Sequence, residues 1–369
     1  MKKTHAEIIP QNIMMLTAAS MSGCITFTSV WSAKYVGRAY SLFIPISALL
    51  VFPLILWILH IVEGTPKCSI LDVLDKGMGK ITSKVICIVY YFINIALSAA
   101  LLNLFTQVLK THFLPNTPYW VIMTVIVLMC TIFVSSGIDI VGMLIVFLVV
   151  ITITDFFTSF GMSFFGQFKI ENLFPVFDTS LQNFIVACLY WTGNACESIL
   201  LLVILTASMP VSEKRISWVW KGVIIWTFSN LMAATIFIGI VPVEVLWGIT
   251  SSGTHVAELI HIGEFLRGVE ILVLASYQIR AVMKTTIYLY CLQQTAIKIF
   301  ERKKPKLFLS LSAVFIFIPS IWINSYNKAY FLAVFLYQYV LLPFSVFLLF
   351  IASISAVIIG KRKKAVKTS

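Results

Sequence analysis

The chain has 369 residues, of which 60% are apolar and 11% charged, whereas soluble domains carry about 45–50% and about 25%. Twenty-nine Phe and a mean hydropathy of +0.97 exclude a water-facing globule, because the surface left over would not be solvated. The net charge of +12 sits mainly in short connections and at the ends, a placement that orients membrane helices and argues against nucleic acid as a partner.

Only helices or closed barrels satisfy every backbone group in lipid. The apolar runs here are continuous, not ten-residue alternating segments, so helices are expected. At about 20 residues per span, ten follow: 9–33, 39–62, 85–108, 119–136, 138–164, 183–207, 216–242, 264–292, 307–323 and 330–359. The expected fold is an all-α integral membrane protein. Residues 1–8 form a cytoplasmic N-terminus, 9–359 the ten-helix domain and 360–369 a basic cytoplasmic tail. With the N-terminus inside, 19 of the 27 Lys and Arg fall on the cytoplasmic side and five, including Lys169 and Lys328, on the other. Both termini are therefore expected inside, with no soluble domain between the spans.

Span one carries Ala18-Ala19-Ser20-Met21-Ser22-Gly23-Cys24 at its centre. Small residues there allow the helix to unwind and free its N–H and C=O groups for a ligand; close helix packing through small residues is the competing reading. Met21 to Cys24 also has the form of a lipoprotein cleavage box. The apolar run continues past Cys24, which argues for an uncleaved span. After span two, Ser69 to Lys76 is a candidate surface helix with an Ile70, Leu71, Leu74 stripe. Span three offers Asn94, Asn103 and Gln107, as pocket groups or as interhelical hydrogen bonds. Asp155 lies in span five.

Span six repeats the central interruption with Tyr190-Trp191-Thr192-Gly193-Asn194, followed by Glu197. In span eight, Val273, Tyr277, Arg280 and Lys284 share one helix face, and Glu270 and Arg280 add charge. Lys284 sits about 13 Å from the expected span end, deep for snorkelling. A pocket role or an ion pair with Glu197 or Asp155 competes with a purely structural pair. Interruptions in spans one and six of ten occupy equivalent positions in two five-helix halves, about 9–164 and 183–359. An odd number of spans per half inverts the second half, giving a 5+5 inverted repeat with substrate where the interrupted helices meet. The seven cysteines include no C-x-x-C, and the histidines show no metal spacing. No catalytic motif is visible, so neither an enzyme nor a resident metal or cofactor is expected.

The chain resembles the spore germination permeases, the B subunits of germinant receptors and a ten-span branch of the amino acid–polyamine–organocation transporters. The resemblance covers nearly the whole length. It is carried by Phe265-Leu266-Arg267-Gly268-Val269-Glu270, then Lys284 and Thr285-Thr286-Ile287-Tyr288-Leu289-Tyr290. Asn172-Leu173-Phe174-Pro175-Val176, Glu197 after Gly193, Gln11 and Gly37-Arg38 add to it. Departures are Ala39-Tyr40-Ser41 after Arg38, and three residues between Gly193 and Glu197. The resemblance implies a receptor in the spore inner membrane for a small germinant: an amino acid first, a nucleoside or sugar second. It implies partners too, an A subunit and a C lipoprotein subunit. The expected ligand-binding set is Ser22, Gly23, Cys24, Asn94, Thr192, Gly193, Asn194, Glu197, Tyr277 and Lys284. Asp155, Arg267, Glu270 and Arg280 are the expected coupling charges. A true amino-acid symporter or exchanger is the alternative.

Overall fold

The computed structural model describes residues 8–22, 35–65, 67–164, 168–210, 215–246, 269–302 and 304–368; within them, the side chains of Tyr40, Thr152, 154–164, Leu246, 269–274, Tyr277 and 363–368 are outside the description. The described chain is helical, without strands. Its helices are α1 (Pro10–Met21), α2 (Phe43–Glu63), α3 (Ile70–Met78), α4 (Lys80–His112), α5 (Tyr119–Ser135), α6 (Ile138–Phe164) and α7 (Leu181–Ala195). They continue as α8 (Glu197–Leu205), α9 (Arg215–Ile240), α10 (Val269–Phe300), α11 (Pro305–Ile323), α12 (Tyr326–Phe335) and α13 (Leu342–Thr368). Every expected span contains a helix. Six helical stretches among the described residues are long and apolar enough to cross a membrane: Phe43–Glu63, Lys80–His112, Leu181–Ser208, Arg215–Ile240, Pro305–Ile323 and Tyr326–Arg362. The chain is a multi-pass membrane protein.

Sequence dictates several of these ends. Pro10 and Pro305 stand in the first turns of α1 and α11, where a missing N–H costs no hydrogen bond. Ser69 caps α3 in a reciprocal capping box with Asp72. The stripe expected on a surface helix is instead buried: Ile70, Leu71, Val73 and Leu74 pack against α13 and α4. Gly77 admits the backbone of Ser355 at a distance that a Cβ would forbid.

Burial sorts the spans by their surroundings. The Leu181–Ser208 stretch is 94% buried in its most apolar window and Pro305–Ile323 only 28%. Along α11 the exposed Leu311, Phe315, Ile318 and Trp322 fall on one face, an apolar stripe of the kind that faces lipid in a membrane helix. The α7–α8 stretch is the centre of the bundle, packed by α1, α2, α10 and the π-helical segment Leu336–Leu341.

Two interruptions shape the centre. Helix α1 stops at Met21, midway through its apolar run, and Ser22 turns extended with φ −77° and ψ 161°. The indole N–H of Trp226 donates to the freed Met21 carbonyl, which satisfies an orphan group at the helix end. The second interruption falls at Cys196, not at Gly193 as the small residues suggest. The chain makes a single turn there and resumes as α8. Gly193 remains helical, and a Cβ on it would collide with the Tyr337 carbonyl oxygen. Its glycine is required for close packing. That carbonyl belongs to a π-helical segment, Leu336–Leu341, which interrupts span ten between α12 and α13. A wide turn there thrusts backbone toward α7, as single π turns do at functional sites.

On the face carrying the α2 start and the 165–182 connection, Gly37 adopts φ +55° and lies against Asp178. The backbone N–H of Arg38 donates to Asp178 Oδ1 at 2.9 Å, and its guanidinium reaches Asp178 at 3.4 Å and Glu244 at 3.5 Å. Arg38 thus ties together connections from both halves of the chain.

Candidate functional site

The seam between α1, α4, α8 and α10 holds the chemistry. Glu197 stands in the first turn of α8, directly after Cys196. Its Oε2 accepts from the Lys284 ammonium of α10, and its Oε1 accepts from the Tyr337 hydroxyl of the π segment. The Lys284 and Glu197 side chains are only 2% and 1% exposed. Of the partners open to Lys284 in the sequence, Glu197 is seen in contact with it, while the side chain of Asp155 lies outside the described residues. Helix α10 runs on to Phe300, beyond the expected span end. Lys284 is buried and its ammonium is held by Glu197, so it does not snorkel toward an interface.

A burial this complete has a definite energetic meaning. Two charges leave water at a cost of several kcal/mol each, on the order of what their mutual attraction repays only with good geometry and further hydrogen bonds. Tyr337 supplies one of those bonds. Removing either charge would leave the other buried and unpaired.

Beside the pair is a cavity of about 10 Å³, lined by Ser20, Asn94, Glu197, Leu200, Leu201, Lys284, Ile287, Tyr288 and Cys291. It has room for about one water. The Asn94 amide donates to the Tyr90 carbonyl at 2.8 Å, while its Oδ1 has no partner. Asn194 is fully buried with neither amide atom bonded. Buried amide atoms without partners are uncommon; Asn94 lines the cavity beside the pair, and Asn194 stands three residues before Glu197.

The expected residues divide accordingly. Asn94, Glu197 and Lys284 come together at the cavity. Thr192 donates to the Cys188 carbonyl at 2.7 Å, inside its own helix, and Gly193 faces Tyr337. Ser22 closes α1 by donating to the Ala19 carbonyl at 2.8 Å. Arg280 is half-buried, one turn before Lys284 on α10. Gly23, Cys24 and Arg267 lie outside the described residues, as do the side chains of Asp155, Glu270 and Tyr277. Asn103 proves to be interhelical glue, donating to the Ser320 carbonyl at 2.9 Å. Among the described residues no three His, Cys, Asp or Glu side chains gather as a metal site.

Tyr337 was invisible to spacing, since 140 residues separate it from Glu197. Its only signal was a Tyr-Gln-Tyr triplet inside an otherwise apolar span. Ser20 lay in the small-residue run of span one, and Tyr288 in the tyrosine-rich segment after Lys284.

A first helix that ends midway through its apolar run and a buried charge pair against the central helix define the core of a multi-pass helical bundle. Known proteins agree with that assignment. The chain aligns in space with the crystal structure of a mutant of the Eremococcus coleocola manganese transporter. The TM-score is 0.57 at 11% identity, over 95% of this chain and 84% of that one. At that identity the likeness shows a shared fold alone. The sequence profile described as "spore germination protein" matches residues 13–328, and the chain belongs to that family. No curated protein matches it.

Proposed function

We propose that the chain is the membrane subunit of a spore germinant receptor. It binds a small germinant, an amino acid, where the end of α1 meets the α7–α8 break, and triggers germination with an A subunit and a C lipoprotein subunit in the spore inner membrane. Both termini are cytoplasmic in this reading. The observation that carries it is the Glu197–Lys284 pair: two opposite charges held at the centre of a transporter fold, in a chain of the spore germination family. A zwitterion matches such a pair, its ammonium toward Glu197 and its carboxylate toward Lys284, without leaving an orphan charge.

The cavity beside the pair is too small for an amino acid, so binding requires α1, α8 and α10 to part. A ligand that binds the parted arrangement better shifts the population toward it by its difference in affinity. That shift is what partner subunits would sense. The alternative is a true amino-acid transporter, which the fold of the manganese transporter keeps in view.

The test is a thermal-stability screen of the purified full chain against amino acids, nucleosides and sugars, with Leu201→Trp as the filled-cavity control. Stabilisation by amino acids that disappears in the control supports the reading. Stabilisation by sugars or nucleosides alone would sink the amino-acid assignment, and concentrative uptake by the lone chain in proteoliposomes would favour the transporter.

A further inference from the structure

A second cavity, about 310 Å³, opens on the face that carries α3 and Glu301, just past the end of α10. It is lined by Ser83 and Lys84 of α4, Ile204 and Ser208 at the end of α8, and Gln294 and Lys298 of α10, among others. The small central cavity is lined by the same three helices. On α8, Glu197, Leu201, Ile204 and Ser208 follow one face at intervals of three or four residues. On α10, Lys284, Ile287, Cys291, Gln294 and Lys298 do the same, and on α4 Ser83 and Asn94 are eleven apart. One seam therefore runs from the buried charge pair to the open cleft. The wall across it is thin: Leu201 to Ile204 and Cys291 to Gln294 are each three residues, about 4.5 Å of helix rise.

Tyr90 stands in that wall. It lies seven residues from Ser83 and four from Asn94, on the α4 face that joins the two cavities. It is fully buried, and its hydroxyl donates to the Leu200 carbonyl at 2.6 Å. One side chain thus ties α4 to α8.

We propose that Tyr90 is the barrier between the central cavity and the cleft: its ring fills the seam, and its hydroxyl pins the ring to α8. A fold built for passage would then hold a ligand without releasing it to this face, which is what separates a sensor from a transporter. The inference goes beyond the receptor reading and is independent of which germinant binds.

Cys291 reports on it directly, since it lines the central cavity. In the full chain, all cysteines but Cys291 are replaced, and modification by a charged, membrane-impermeant methanethiosulfonate is followed. With Tyr90 present Cys291 reacts slowly, whereas a cysteine at Gln294 on the cleft side, with Cys291 replaced, reacts about tenfold faster or more, as access-limited thiols do. Tyr90→Ala raises the Cys291 rate toward that of the cleft position, and Tyr90→Phe leaves it slow. Equal rates at positions 291 and 294 in the Tyr90 chain would overturn the proposal, as would an unchanged Cys291 rate in Tyr90→Ala or a Phe variant as fast as Ala. Where Tyr90→Ala does not fold, the comparison of 291 with 294 decides alone.

Discussion

Oppositely charged side chains meet at two depths in this protein, and the two settings obey different energetics. At the centre, Glu197 and Lys284 are almost wholly buried, with Tyr337 completing the carboxylate's bonding. At the α3 face, Lys298 meets Asp72, and Glu301 accepts from Lys80 at 3.2 Å and Lys84 at 2.9 Å, with most of these groups open to solvent. Water screens the outer pairs and replaces any that break. The inner pair has no such substitute. The contrast teaches that the central charges are held against their own solvation, the mark of intramembrane function, while the outer ones tie loops together.

Breaking the inner pair is expected to have the largest effect. Lys284→Ala should lower stability by about 3–5 kcal/mol, read by thermal unfolding in detergent, and should abolish the germination response. Glu197→Gln together with Lys284→Met should recover much of the stability but none of the response. Recovery of both would make the pair merely structural. Tyr337→Phe comes next: loss of one bond to a carboxylate should cost about 1.5–3 kcal/mol, with the π segment retained. A cost near zero would mean that Glu197 is positioned by Lys284 alone.

The outer pairs predict less. Asp72→Asn should cost on the order of 1 kcal/mol through its weakened cap. Burial pushes the Asp72 carboxyl up, but the Lys298 ammonium and the hydrogen bonds from Lys298 and Ser69 outweigh it and hold the group below its ordinary 3.8. A depressed carboxylate lends stability above the ordinary carboxylate range and loses it as pH falls through the folded value. Acid unfolding should therefore be shallower in Asp72→Asn than in the parent chain, and identical acid limbs would remove Asp72 from the account. Glu301 is also held below its ordinary value by bonds from Lys84 and Lys80, but it is about half exposed, at 47%. Glu301→Gln should leave the melting temperature unchanged, and a large drop would mean that the α3 face is more tightly closed than its exposure indicates.

Much of the architecture was legible in the chain because lipid leaves few solutions. Continuous apolar runs must be helices, and the expected spans and observed helices agree closely at 119–136 and 138–164. Helix α1 stops within the small-residue run of span one. Gly193 misled because a glycine in a membrane helix serves unwinding and close approach alike; only the carbonyl of Tyr337 from span ten decides between them. The α3 stripe misled for a related reason: an amphipathic helix pattern is the same whether its face meets lipid or the end of α13. Glu197 and Lys284 stood out singly, since isolated charges in apolar runs are rare and costly.

By itself the sequence determined that the chain spans a membrane, where its helices run, and which ionisable groups must find shelter. These are properties of single segments in lipid, set by the cost of unsatisfied backbone and buried charge. Only the tertiary structure decided that Lys284 meets Glu197, that Tyr337 joins them from a π turn 140 residues away, and that Tyr90 stands between the two cavities. Such pairings depend on how helices cross, and no period along one segment encodes its neighbour.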